Sequence, residues 1–362
     1  MMQRIFASSG LLVLAAALPM AAQTSTASKA ASSPSASKSF AAPKTPWGDP
    51  DLQGSWTSDD TWGVPMARPK QYGDRLYLTE DELAARAKLV KASEQRVVNP
   101  SNDSHSPALR QIESEGAGNA NAAPGRGVDA APVPGQFGEY ARRASKQTSQ
   151  IIFPADGQVP PLTPEAQAKQ REAAATRNRT PSTWTDWSIY DRCISRGVAG
   201  SIIPVIYGNG LEIVQTPGYV AIRYEMVHDV RIIPTDGRAH VPASIRSYMG
   251  DAVGHWEGNT LVVETTNFNG KMGVGPNGGG VPTSEDAKLI ERFTRTADNT
   301  ISYELTVDDP KTYTSTWKIG FPITHEPGYQ IYEYACHEGN MAMRNMITGT
   351  AAVEAKAAAE KK

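Results

Sequence analysis

Apolar and polar positions alternate from Leu211 to Arg231 (LEIVQTPGYVAIRYEMVHDVR), and the alternation is broken once, at Pro217-Gly218. A period of two sends successive side chains to opposite faces of a strand, and Pro-Gly supplies the tight turn between two such runs. The stretch therefore predicts a hairpin, with a further strand directly after it. Similar runs recur along the second half of the chain. They predict strands at 211–216, 219–226, 229–233, 244–249, 260–268, 288–296, 300–308, 312–320 and 330–336. Turn residues separate them at Pro217-Gly218, Asp236-Gly237, Gly258-Asn259, Asp298-Asn299 and Pro327-Gly328. Strands at hairpin spacing pair antiparallel, and about eight or nine of them close most naturally on themselves. The pattern predicts a mainly β protein, an antiparallel meander closing into a lipocalin-like barrel. A flat sandwich is the alternative.

The first half lacks this rhythm. Leu78 to Glu94 carries helical spacing, with Thr79 as cap and Asp81 and Glu82 in the first turn. Thr163-Pro164-Glu165 opens a second helix that runs to about Arg177, with Pro at its first position. With a polar Ala/Glu/Lys tail at the C-terminus, two or three short helices are expected. PWGDPDLQGSW (46–56) is punctuated by turn residues, and Trp47, Leu52 and Trp56 are placed to dock it on the body. Residues 98–138 are rich in Asn, Ser, Gly, Ala and Pro and predict a long irregular insertion. The expected organisation is a signal peptide at 1–22 and a disordered tether at 23–45. A wrapping segment with helices and the long loop follows at 46–182, then a β-barrel domain at 183–350 and a tail at 351–362.

Composition narrows the partner and the compartment. The formal net charge is −2 over 362 residues, with no basic stripe of the kind a nucleic acid requires. No interior stretch approaches the ~18–20 apolar residues of a membrane span. At the N-terminus, Arg4, the run GLLVLAAAL (10–18) and Ala21-Ala22 read as a secretory signal, which implies a periplasmic or secreted protein. Export in turn sets the reading of Cys193 and Cys336, the two cysteines of the chain. In an oxidising compartment they are expected to form one disulfide. The alternative is a cysteine nucleophile beside His337.

A small barrel holds either its own side chains or one ligand, so the expected partner is a small organic molecule. The favoured activity is general acid–base chemistry, as in a lyase, isomerase or hydrolase. His228 is the candidate base, His337 or Tyr334 the candidate acid, and Arg231 or Arg246 would stabilise an anionic intermediate. Glu225, His255, Trp256, Asn267, Arg292 and Glu338 are candidate ligand contacts. The alternative is a non-catalytic binding or carrier protein. His228 is followed by Asp229, but neighbours on a strand point to opposite faces, so the two meet only across a bulge at Val227-His228. No HExxH, paired CxxC, nucleophile elbow or nucleotide fingerprint is present, so no metal or cofactor is implied. The glycine-rich stretch Gly270 to Gly280 precedes no helical pattern and is not a phosphate loop.

Several blocks together resemble a family of exported bacterial proteins without a settled activity. They are PWGDPDLQGSW (46–56), DGQVPPLTPEAQ (156–167), YDRCISRG (190–197) and IVQTPGYVAIRYEMVHDVRIIPTDGR (213–238). MGDAVGHWEGNTLVVETTNFNG (249–270), LIERFT (289–294), YELTVDDP (303–310) and IYEYACHEGN (331–340) complete the set. They cover nearly all of the expected mature chain. The resemblance implies export and brings no catalytic residues with it.

Overall fold

The computed structural model of the protein describes residues 40–98, 141–177, 183–205, 207–325 and 328–360. The expected signal segment, most of the tether and nearly all of the long insertion lie outside these residues. Within them the chain forms β1 (Gly54–Thr57), α1 (Glu80–Val98), β2 (Ile151–Phe153), α2 (Pro164–Arg177) and a single turn α3 (Gly197–Gly200). Strands β3 (Gly210–Thr216), β4 (Tyr219–Tyr224), β5 (Val230–Pro234), β6 (Asp251–Glu257) and β7 (Thr260–Thr266) follow. The last elements are β8 (Lys288–Ala297), β9 (Thr300–Asp308), β10 (Trp317–His325) and α4 (Ala342–Glu360). No helix among the described residues is long and apolar enough to cross a membrane.

Nine strands pair antiparallel in the order β5-β4-β3-β1-β10-β9-β8-β7-β6, and β2 pairs with β10 beside this path. The two free edges, β5 and β6, meet through side chains. A Cβ added at Gly254 of β6 would lie 2.9 Å from Ile233 Cγ2 of β5, so only glycine permits this approach. The protein is thus mainly β, with a nearly closed antiparallel barrel. The hairpins at Pro217-Gly218, Gly258-Asn259 and Asp298-Asn299 stand where turn chemistry puts them.

Alternation fills the barrel. Ile213, Ile222, Ile233, Leu261, Phe293, Leu305 and Ile319 all face inward, with at most 1% of their surface exposed. Phe293, Tyr303 and Phe321 form a ladder of rings with centroids 5.0 and 5.4 Å apart. Each large aromatic or aliphatic side chain so buried contributes about 1.5–3 kcal/mol.

Four expectations need correction. First, the N-terminal segment supplies a barrel strand. β1 lies between β3 and β10, with Trp56 opposite both Leu211 and His325. Trp56 is 1% exposed, and its indole N–H donates to Leu52 O at 2.9 Å. Four residues are too few for a period to declare itself. Second, 244–249 is a loop, and the strand lies at 251–257. The loop's polar partners come from elsewhere: Asn267 Nδ2 donates to Val241 O (3.0 Å) and Pro242 O (3.2 Å), and Ser247 N to Asn267 O (3.1 Å). Third, the run at 312–320 becomes strand only at Trp317, because Thr312 and Tyr313 first turn back onto the Asp309 carbonyl. Fourth, 330–336 alternates like a strand but pairs with no neighbour; a disulfide and side-chain bonds hold it. Four α-helices are present among the described residues. The last starts at Ala342, inside the stretch assigned to the barrel domain.

Candidate functional site

The charged centre of the barrel is Arg231 against Glu291. The guanidinium donates to Glu291 Oε1 at 3.0 Å, and its other arm lies 2.6 Å from Oε2. Tyr224 OH (3.2 Å) and Thr265 Oγ1 (3.0 Å) accept further bonds from Arg231, and Tyr303 OH donates to Glu291 at 3.1 Å. The pair is 3% and 0% exposed. Burial opposes the charge on Arg231, but Glu291 and Tyr224 outweigh it and hold the pKa above the ordinary arginine value. Burial pushes the Tyr224 phenol up to about 12. This is a buried ion pair braced by two phenols and a threonine in the packed interior, with Arg231 Nε left without a hydrogen-bond partner.

A second cluster forms where β4 turns into β5. The strand ends at Tyr224, and Met226–His228 make one 3-10 turn. Val227 (φ 64°) and His228 (φ 57°) both lie in the left-handed region. For a β-branched residue that is a true outlier, and such positions cost on the order of 1–3 kcal/mol. The surroundings pin the turn. Tyr224 N donates to Asp229 O and Glu225 N to Gly210 O, both at 2.9 Å, while the Glu225 carboxylate accepts from Gly210 N at 3.2 Å. A Cβ at Gly208 would stand 2.6 Å from Met226 Cε, so Met226 packs flat on bare backbone.

Two further segments converge on this turn, joined by the disulfide between Cys193 and Cys336, whose Cα atoms are 5.7 Å apart. From the 328–340 segment, Tyr334 N donates to His228 Nε2 at 2.6 Å. From the 190–197 segment, Ser195 Oγ donates to Asp229 Oδ2 at 2.6 Å and accepts from Gly197 N at 2.9 Å. So His228 and Asp229, adjacent in sequence, serve different partners. The phenols of Tyr190, Tyr207 and Tyr334 lie close enough to act on one another, and the buried Arg196 acts electrostatically on Tyr190 and Tyr334. Arg196 Nη1 donates to Gly208 O at 2.9 Å. Burial raises the phenols of Tyr190 and Tyr334, the latter to about 12, so both are neutral donors at neutral pH. Burial likewise raises the Asp229 carboxyl, against the pull of Ser195 and the Arg196 amide.

Of the residues predicted to form a site, this rim cluster brings together Glu225, His228 and Tyr334 with Cys193 and Cys336. His337 and Glu338 follow on the same segment and are exposed. The others lie elsewhere. Arg231 sits in the interior network. Arg246 donates to Phe268 O (3.2 Å) and to Glu285 O, clamping two loops. Asn267 pins the 241–242 backbone. His255 pairs with Glu257 at 3.2 Å on the outer face, Arg292 pairs with the same Glu257 at 2.9 Å, and Trp256 packs against the core. The sequence predicted no site role for Tyr190, Ser195, Arg196 and Tyr207. Their only sequence signal is density of polar aromatic residues near Cys193. It also missed His240, whose Nδ1 lies 2.7 Å from Asp251 Oδ2 and whose Nε2 faces Glu264 at 3.5 Å. Compared with protein-family models, curated proteins and solved structures, the chain matches none.

Proposed function

We propose that the protein is an exported small-molecule-binding β-barrel of the bacterial family its sequence blocks resemble, and that its ligand meets the rim cluster rather than the barrel axis. The ligand class is a small molecule presenting a carboxylate or carbonyl oxygen. One observation carries this reading: the phenols of Tyr190, Tyr207 and Tyr334 converge beside the buried guanidinium of Arg196. Neutral phenols are donors, and donors grouped beside a cation suit an oxygen with negative charge.

The same geometry assigns roles. Tyr334 and Tyr190 donate to the ligand oxygen. His228 is a positioning residue, because its Nε2 already accepts the Tyr334 N–H, which leaves the ring proton on Nδ1. The raised Asp229 carboxyl and the strained Val227-His228 backbone favour an acid–base enzyme as the second reading, with Tyr334 as the acid.

The test is calorimetric titration with benzoate, acetophenone and benzyl alcohol. Benzoate and acetophenone are expected to bind and benzyl alcohol to bind weakly. Tyr334→Phe should weaken benzoate about tenfold, the loss of one bond to a charged oxygen. Unchanged benzoate affinity in a folded Tyr190→Phe/Tyr334→Phe protein, or no saturable binding of either acceptor, would overturn the reading.

A further inference from the structure

A concave surface lies on the outer wall of the barrel, built from residues that the rim cluster does not use. It encloses about 530 Å³, within the ~300–1,000 Å³ range of small-molecule sites. Its floor is the outward face of β9 and its neighbours, where Thr300, Ser302 and Glu304 point away from the core. Its wall is a short ladder in which Leu78 N donates to Lys146 O and Thr148 N to Leu76 O, each at 2.8 Å.

The wall is held rigidly. Gln147 Nε2 donates to Gly320 O of β10 at 2.7 Å, and Arg86 of α1 donates to Ser145 O at 3.0 Å. The buried Asp60 carboxylate accepts from the backbone amides of Arg142 (3.1 Å) and Arg143 (2.9 Å) and from Thr324 Oγ1 at 3.3 Å. Its Oδ2 also accepts Arg143 Nε at 2.6 Å. The Arg143 guanidinium is thereby fixed by one edge at the mouth of the groove. Lys146 stands three residues further along the same wall, and the Tyr77 ring is 60% exposed beside it.

We infer that this groove binds an acidic saccharide of the uronic-acid type. Sugar carboxylates meet Arg143 at one end of the groove and Lys146 at the other, a fork and a point-charge donor respectively. The ring hydroxyls find donors and acceptors in Thr300 and Ser302, and Glu304 accepts from a further hydroxyl. One face of the sugar stacks on Tyr77, whose ring offers apolar area with little entropy to lose. A neutral sugar would offer the Lys146 ammonium no counter-charge.

The experiment is titration of the full chain with trigalacturonate, followed by calorimetry and by amide chemical shifts, with maltotriose as the neutral comparison. Trigalacturonate is expected to bind and maltotriose to bind at least tenfold more weakly, with the difference shrinking as salt is raised. Ser302→Trp, which fills the floor from the solvent side, should abolish binding. Lys146→Gln, which touches no structural bond, should weaken it about tenfold. Tyr334→Phe should leave it unchanged, which separates this groove from the rim cluster. Absence of saturable binding, equal affinity for maltotriose, or undiminished binding by folded Ser302→Trp would each overturn the proposal.

Discussion

The Arg231–Glu291 pair makes a quantitative claim about how this barrel is held together. Replacing Arg231 by Met leaves a carboxylate inside the barrel with Tyr303 as its remaining partner, because two arms of the guanidinium, Thr265 and Tyr224 all lose their bond at once. Breaking a buried pair from one side typically costs about 3–5 kcal/mol. Arg231→Met should fall at the upper end of that range. Glu291→Gln should fall at the lower end, since an amide oxygen still accepts from Arg231 and Tyr303 while the cation loses its counter-charge. The double change Arg231→Met/Glu291→Leu removes both charges. It leaves the Tyr224 and Tyr303 hydroxyls without these partners, at about 1–3 kcal/mol in all. Urea denaturation of wild type, Arg231→Met, Glu291→Leu and the double closes a cycle. With Glu291→Leu also a one-sided break costing about 3–5 kcal/mol, the expected coupling is at least about 3 kcal/mol, the upper end of measured pairwise values. Single losses below about 1 kcal/mol, or a double loss equal to the sum of the singles, would refute the claim that the two charges depend on each other.

Three further outcomes are expected. Replacing both cysteines by serine removes a link that spans 143 positions, worth about 5 kcal/mol in the chain-entropy description. Hydrogen exchange should show the Tyr334 amide losing protection before any barrel strand does. Burial raises the Asp229 carboxyl above its unfolded value, so its favourable contribution is complete below about pH 4 and is lost as pH rises through the folded value. Asp229→Asn, which keeps an oxygen for Ser195, should therefore be more stable than wild type at pH 7, with the difference vanishing in acid; equal stabilities at pH 7 would contradict this. The phenols of Tyr224 and Tyr334 are raised to about 12. Their contribution is complete below about pH 10 and is lost towards pH 12, so phenolate absorbance should rise together with unfolding in that window. Tyr334→Phe should remove one such proton.

Two histidines show where sequence and structure part company. The alternation around 219–226 rightly signalled a strand ending near His228, because period two is a local property and needs no partner to be visible. Whether His228 faced a cavity was not local. It depended on Tyr334, 106 positions away, coming to rest with its amide on the imidazole. His240 had no signal at all: its partner Asp251 is close in sequence but on a different element, and the loop between them has no period. The Cys193–Cys336 link was legible from cysteine number and the expectation of export, although not what it would gather around it.

The strands β3 to β5 and β7 to β9, the turns at Pro217-Gly218 and Asp298-Asn299, and helices α1 and α2 followed from the sequence by itself. Each rests on period, capping or turn chemistry within about ten residues. Tertiary structure alone decided that Gly54–Thr57 joins the barrel between β3 and β10, that Arg231 spends its charge on Glu291, and that Tyr190, Tyr207 and Tyr334 meet at one rim. The physical reason is the same in each case. A backbone edge, a buried charge or a phenol is satisfied by whichever complementary group the fold delivers, and that group lies up to hundreds of residues away, where no local pattern announces it.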